Sequence, residues 1–519
     1  MFQSSPARRL ASAAAILASV AAALPAAAQP LTETRKFTAP DGAMNDRFGW
    51  SVAVDGTTAI VGSPDDDDNA SSAGSAHLFD TRTGNQLFKL NASDPVAFAE
   101  FGHSVAISGT TAIIGARDGG GGAGAAYLFS TVTGLEQHRL VAPPGGVIDD
   151  FGFSVAISGT VAVVGEPGDE HAGHRTGAAY VFDAVTGQFR FRLTAPDASG
   201  GDEFGISVAV SGTLVVVGSR WSDASGGSSG SVYVFDATNG QLLFQLAPDD
   251  ARGGQQFGRS VAISGTTILA GAPADNHAGR GSGAAYLFDA ATGLQLHRLV
   301  APDAAEFDEF GLAVSIAGTT AIIGAPDDDD LGSDSGSAYL FDVQSGVLLA
   351  KLNPSDAAPT DGFGGSVAVS GTTAIAGAPF DDDRGSNSGS AHLFRTTSPV
   401  LAQPRGLVVE PGDTAEFELR LTDPVGVTYQ WRRDGVAMAD AGNVSGASTA
   451  VLRIVAGPDD VAMYDCVFAR SYGPARASAA ATLAVLPDPD ACYPDANGDG
   501  VLNFFDVSQF IIEFGRGCP

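Results

Sequence analysis

Short runs in which apolar and polar residues alternate recur along most of the chain. In the first, Trp50, Val52 and Val54 alternate with Ser51 and Ala53. A period of two predicts a half-buried strand. Asp55-Gly56 follows as a two-residue hairpin turn, with Gly supplying the positive φ such turns need. A second strand is expected over Thr58–Val61, a third over Ser75–Phe79 and, after the turn at Thr83-Gly84, a fourth over Gln86–Leu90. No segment of this region carries a helical period.

This unit recurs. A Phe-Gly pair stands at Phe48, Phe101, Phe151, Phe204, Phe257, Phe310 and Phe363, at spacings of 53, 50, 53, 53, 53 and 53 residues. Each copy continues as Phe-Gly-x-Ser-Val-Ala or a close variant, a Ser-Gly-type turn, an apolar run, a loop, an aromatic strand and a Thr-Gly-type turn. Four antiparallel strands in about 50 residues fit one blade of a propeller; a β-helix uses much shorter repeats, and a sandwich about twice the length. The pattern therefore predicts a seven-bladed β-propeller. Its seventh copy ends at its third strand, Ser390–Phe394. An unmatched strand at the other end, Arg35-Lys36-Phe37-Thr38-Ala39-Pro40, is similar to the closing strand Phe191–Pro196. The N-terminal strand is expected to complete the last blade and remove the open edges of a linear array.

Composition narrows the picture. The chain has 519 residues, is 44% hydrophobic and carries a formal charge of −31. Such a charge argues against binding a phosphate backbone, so no nucleic-acid partner is expected. Three Cys exclude a disulfide-dense scaffold. Arg8 and Arg9, an apolar run over Leu10–Leu24 and Ala26-Ala27-Ala28 read as a secretory signal peptide cleaved near Ala28-Gln29. No later stretch reaches the ~20 apolar residues of a membrane span. The protein is expected to be secreted, extracellular or at the cell surface.

Phe310-Gly311 with Gly324-Ala325-Pro326, and Phe363-Gly364 with Gly377-Ala378-Pro379, resemble the FG-GAP repeat of integrin α-type propellers and their bacterial relatives. The resemblance covers Thr34 to Phe394 and implies the propeller fold and a binding or adhesion role. Family members often bind calcium in a loop between Phe-Gly and Gly-Ala-Pro. That loop is only a tight turn here, so those ligands do not carry over. Acid lies elsewhere. Asp65–Asp68, Asp327–Asp330 and Asp381–Asp383 fall in loops between second and third strands. Asp149, Asp150, Asp202, Glu203, Asp308 and Glu309 fall in the connections between units. Both sets emerge on one face, which serves either as a solvated surface or as a divalent-ion surface.

A second β-rich segment follows a Pro-punctuated stretch. Trp431 in Tyr-Gln-Trp-Arg-Arg and Tyr464 two residues before Cys466 resemble the core of an immunoglobulin-like domain. The first Cys of that pattern is missing, with Phe417 or Leu419 in its place, so Cys466 is expected as a buried thiol.

The tail carries the strongest chemical motif. Asp495, Asn497, Asp499, Asn503 and Asp506 stand at positions 1, 3, 5, 9 and 12 of a calcium loop, with Gly500 at the turn and the Val501 carbonyl at position 7. Asp506 at position 12 together with Asn503 resembles a dockerin-type loop, which implies bound Ca2+ and a cohesin-like partner, and Val507, Phe510, Ile511 and Phe514 are expected as an apolar stripe on a following helix. Cys492 and Cys518 flank the loop. A disulfide between them would contribute ~3–4 kcal/mol by chain entropy.

The expected organisation is all-β. It runs as a signal peptide over 1–28, a propeller over 29–397, an immunoglobulin-like sandwich over 398–487 and a small EF-hand or dockerin-like calcium module over 488–519. No Ser, His and Asp arrangement stands out, and His171 and His174 make a poor zinc site. The expectation is a non-catalytic binding, adhesion or scaffold protein whose partner is an extracellular protein or polysaccharide. A secreted polysaccharide-degrading enzyme, or its accessory subunit with an assembly tag, is the alternative.

Overall fold

The alternating runs form strands, and the strands form sheets of four. The computed structural model describes residues 33–117, 124–143, 150–395, 400–402, 404–421, 427–470, 476–478 and 480–485. These fall into two compact units divided between Thr396 and Thr397. Among the described residues no helix is long and apolar enough to cross a membrane.

The first unit is a seven-bladed β-propeller. Its first blade is a meander of Ser51–Asp55, Thr58–Ser63, Ser75–Asp80 and Gln86–Leu90, each strand antiparallel to the next. Five further blades repeat this order, and the seventh differs as expected. Its strands Ser366–Ser370, Thr373–Ala378 and Ser390–Arg395 are completed by Glu33–Phe37, with Phe37 opposite Ala391 and Lys36 opposite His392. Phe37 is 3% exposed and its ring lies 4.7 Å from that of Phe79 in the first blade. The closing strand thus also fills the core between the last blade and the first.

The repeat's consensus residues make the seams. Each Phe of Phe-Gly is fully buried and meets the aromatic pair of its own third strand edge-on or tilted, as Phe204 meets Tyr233 and Phe235. The following Gly lies against the preceding blade. Gly102 has φ of +95°, and a Cβ there would sit 2.2 Å from the Ser75 carbonyl oxygen. No other residue fits both the backbone angle and the space. The Ser of Phe-Gly-x-Ser donates to the carbonyl of the next blade's Gly, from Ser51 to Gly102 at 2.7 Å and, across the closure, from Ser366 to Gly49 at 2.7 Å. Ala313 lacks this hydroxyl in the sixth blade.

Among its described residues the second unit has two larger sheets beside a two-stranded ribbon of Val400–Ala402 and Arg420–Leu421. One orders Leu407–Val409, Ala481–Val485, Ala462–Arg470, Val427–Arg433 and Val436–Ala437; the other orders Thr414–Glu418, Val451–Val455 and Val444–Ser445. Their shared core holds Phe417, Leu419, Trp431, Tyr464 and Cys466. Trp431 Nε1 donates to the Thr449 carbonyl at 2.9 Å, and the Tyr464 hydroxyl to the Asp460 carbonyl at 2.9 Å. Cys466 is fully buried, and burial pushes its thiol up to about 11.

Candidate functional site

The acidic loops of the propeller have a repeated internal logic. In the first blade, Asp66 is 5% exposed and acts as a hub. Its Oδ1 accepts the Asp68 amide at 2.9 Å and its Oδ2 the Ser75 hydroxyl at 2.6 Å. Asp67 closes the loop by accepting the Ser72 amide at 2.5 Å. Lys89, on the fourth strand, brings Nζ to 2.7, 2.8 and 2.6 Å from carboxylate oxygens of Asp41, Asp66 and Asp68. Every acid of the run Asp65–Asp68 has a protein partner, since Asp65 pairs with Arg47 at 3.2 Å.

The sixth and seventh blades repeat the device. Lys351 Nζ lies 2.9, 2.9 and 2.5 Å from Asp303, Asp328 and Asp330. Lys36 Nζ lies 2.7, 2.6 and 2.5 Å from Asp356, Asp381 and Asp383. In each set the carboxylate oxygens lie within 4.8 Å of one another, a spacing suited to a cation. An ammonium group already stands among them. Burial opposes the charge on Lys351, but hydrogen bonds to Asp330, Asp328 and Asp303 outweigh it and hold the lysine well above its ordinary value. In the third and fifth blades the cation is Arg192 on Asp169 and Arg298 on Asp275, and the third loop residue is His171 or His277 instead of Asp. Where arginine bonds the hub, a third carboxylate is absent; where lysine does, it is present.

The connecting turns are likewise satisfied from within. Asp46, Asp202, Asp308 and Asp361 each accept the amide three residues upstream, at 2.6 to 2.8 Å. Glu203 is held by Arg175 at 2.9 Å and Arg220 at 2.7 Å. Asp149 lies outside the described residues.

One pair breaks the rule. Asp327 corresponds to Asp65, but Glu309 stands where the first blade has Arg47. Burial, then Glu309 and Asp334, pushes the Asp327 carboxyl up to about 6. A raised folded pKa favours folding below the unfolded value of ~4, and that contribution is lost as pH rises through about 6. Asp327→Asn is therefore expected to melt above the parent at pH 7.5, with the gain vanishing by pH 4. A pH series of melting temperatures checks this; equal gains at both ends would refute it.

A Ser–His–Glu arrangement that sequence inspection missed is formed by the closing strand. His392 Nε2 lies 2.9 Å from Ser390 Oγ and its Nδ1 lies 3.0 Å from Glu33 Oε1. Glu33 is 359 residues away in sequence, so no local spacing reveals it. Burial would raise the Glu33 carboxyl, but the His392 and Ser355 hydrogen bonds bring it down to about 2. Ser390 and His392 are both 0% exposed, and Ser390 Oγ also donates to Asp381 at 2.7 Å. Sealed from solvent, this serine has no route to a substrate.

The tail ligands Asp495, Asn497, Asp499, Val501, Asn503 and Asp506, and Cys492 and Cys518, lie outside the described residues.

The FG-GAP repeat pattern matches seven segments: residues 31–79, 85–129, 135–182, 189–235, 244–288, 294–341 and 347–394. No curated protein matches the chain. Among solved structures, a titin M10–obscurin-like 1 Ig complex matches at 26% identity over 17% of this chain and 94% of that one, with a TM-score of 0.16. The N-terminal Ig1-2 module of the Drosophila receptor protein tyrosine phosphatase DLAR matches at 23% identity over 17% of this chain and 47% of that one, with a TM-score of 0.15.

Proposed function

This chain belongs to the FG-GAP repeat family, and we propose that it is a secreted, non-catalytic binding or adhesion protein whose propeller presents the interaction surface. The observation that carries the reading is the end of the ring where the loops between second and third strands meet the connections between blades. Those loops are braced by buried hubs and stand on a closed scaffold, the arrangement by which rigid folds present binding loops. Their outer acids, among them Asp67, Asp329 and Asp382, are exposed. Burial of the Ser390–His392–Glu33 arrangement supports a reading without hydrolysis over the alternative of a polysaccharide-degrading enzyme. In this reading residues 1–28 are a signal peptide, and residues 398–487 are an immunoglobulin-like spacer, supported by the packing of Trp431, Tyr464 and Cys466. Binding arrays of extracellular proteins and polysaccharides, run beside a polysaccharide hydrolysis screen on the full chain, test it. Saturable binding without turnover is expected; catalytic release of oligosaccharide would sink it.

The same reading makes the tail a calcium-dependent attachment module, held by Asp495, Asn497, Asp499, Asn503, Asp506 and the Val501 carbonyl, closed by Cys492–Cys518 and recognised by a cohesin-like partner. Calorimetry on the full chain is expected to show a calcium site that Asp499→Ala weakens by about tenfold or more, because a charged ligand is lost. Peptide mapping without reductant is expected to link Cys492 to Cys518. A link from Cys466 to either, or unchanged calcium affinity in the variant, would remove the module from the account.

A further inference from the structure

The first strands of all seven blades face an axial cavity of about 990 Å³. That is at the upper end of the ~300–1,000 Å³ range of small-ligand sites. The ring of valines that follows each Phe-Gly-x-Ser, such as Val52, Val155 and Val261, lines its wall. The variable residue x lines it too: Trp50, His103, Phe153, Ile206, Arg259 and Leu312, with glycine in the last blade. The serine hydroxyls between these layers are spent on the seams. The cavity wall thus combines apolar and aromatic side chains with charged ones, among them Arg117 and Arg259.

Arg259 stands out among the cations of this region. Arg47, Arg117 and Arg220 pair with Asp65, Glu100 and Glu203 at 3.2, 2.5 and 2.7 Å. Among the described residues the Arg259 guanidinium has no hydrogen-bond or ion-pair partner. Glu309 and Glu203 act on it only through space, and Glu203 is already taken by two other arginines. Burial, then Arg220, lowers Arg259 to about 10, which leaves it charged at neutral pH. His103 feels the same field: burial, then Arg117, brings it down to about 3, so it is neutral. Its Nδ1 lies 3.1 Å from the Phe153 carbonyl and donates to it, which leaves Nε2 without a proton. A half-buried guanidinium with no hydrogen-bonded carboxylate of its own can take the carboxylate of a ligand.

We propose that the axial cavity binds a small monoanionic carboxylate with an aromatic or aliphatic body, its carboxylate on Arg259 and its body against Trp50, Phe153 and the valine wall. Asp327 and Asp334 also line the cavity. They add negative potential that disfavours phosphates and polycarboxylates, so single charge is part of the specificity.

The test is calorimetry on the full chain with 3-phenylpropionate, its neutral amide, 3-phenylpropylamine and citrate. The acid is expected to bind, with the amide and citrate weaker by about tenfold or more, the span of one charge-assisted contact. Arg259→Met is expected to lose the acid by a similar factor, while Arg259→Lys keeps part of it. Melting temperatures report whether each variant is folded. Should Arg259→Met fail to fold, the acid–amide comparison on the parent and the Arg259→Lys affinity still decide. The proposal is overturned by any of four results: amide or amine binding as tightly as acid, citrate binding more tightly, a folded Arg259→Met with unchanged affinity, or no binding of the acid at about 10 mM.

Discussion

Deleting Thr34–Pro40 is expected to open the ring. The last blade would keep three strands, and Ser390–Arg395 would become an exposed edge. The deletion removes the buried ring of Phe37, and with it about 3 kcal/mol of apolar burial. It also removes Lys36, which leaves the buried Asp381 beside Asp383 and Asp356 without their cation. Stripping one partner from a buried charge cluster costs a further ~3 kcal/mol. The summed loss is a large part of the ~5–15 kcal/mol that holds a typical domain together. A melting temperature many degrees lower, with concentration-dependent aggregation through the new edge, is therefore expected. A deletion variant that melts with the parent and stays monomeric would refute closure by this strand. Phe37→Ala, which keeps the strand and the lysine, separates core loss from edge exposure.

The second large effect is expected at the sixth blade. Lys351→Met keeps the length of the side chain and deletes its charge among Asp303, Asp328 and Asp330. Asp328 is 3% exposed, so its charge cannot be repaid by water. Lys351 itself is 20% exposed, which trims the expected loss to about 2–3 kcal/mol. The pH dependence has a definite sign. Burial would raise the Asp328 carboxyl, but its bonds to Tyr339 and Lys351 hold it below its ordinary value. A lowered folded pKa adds stability above the unfolded value of ~4, and that stability is lost as pH falls through the folded one. The parent should therefore lose this contribution in acid, and the variant should show little of it to lose. With the ammonium gone, three carboxylates remain within 4.8 Å of one another. Calcium at millimolar concentration should then raise the variant's melting temperature more than the parent's. If Lys351→Met melts with the parent and shows no added response to calcium, the lysine is not the cluster's counter-ion.

Both predictions depend on contacts that the sequence shows unequally. Lys351 stands 23 residues after Asp328, and Arg192 and Arg298 stand at the same interval after Asp169 and Asp275. That spacing was open to reading in the repeat, and so was the exchange of the third loop acid for histidine in the two blades where arginine bonds the hub. Read as composition alone, the same acids look like a surface seeking metal. The structure assigns most of them to loop amides, hub hydroxyls and resident cations, which is why charge count was a poor guide to chemistry there. Lys36 and Glu33 gave no such local signal, because their partners lie more than 300 residues away and meet them only when the ring closes.

The sequence by itself determined the strand pattern, the number of blades and the strand that closes the ring. Period-two alternation, glycine turns and a repeat near 53 residues are local properties, and each blade needs only its neighbours to bury its faces. The Phe-Gly-x-Ser consensus was equally legible as a repeat, but not its purpose, since the Gly and Ser act on adjacent blades. Tertiary structure alone decided what the variable x does. Seven unlike residues that look like drift along the chain are brought by the ring's symmetry to one axis, where Arg259 faces a shared cavity without a partner of its own among the described residues. Local patterning specifies elements because backbone geometry repeats every few residues; a site assembled from seven blades exists only after closure sets their distances.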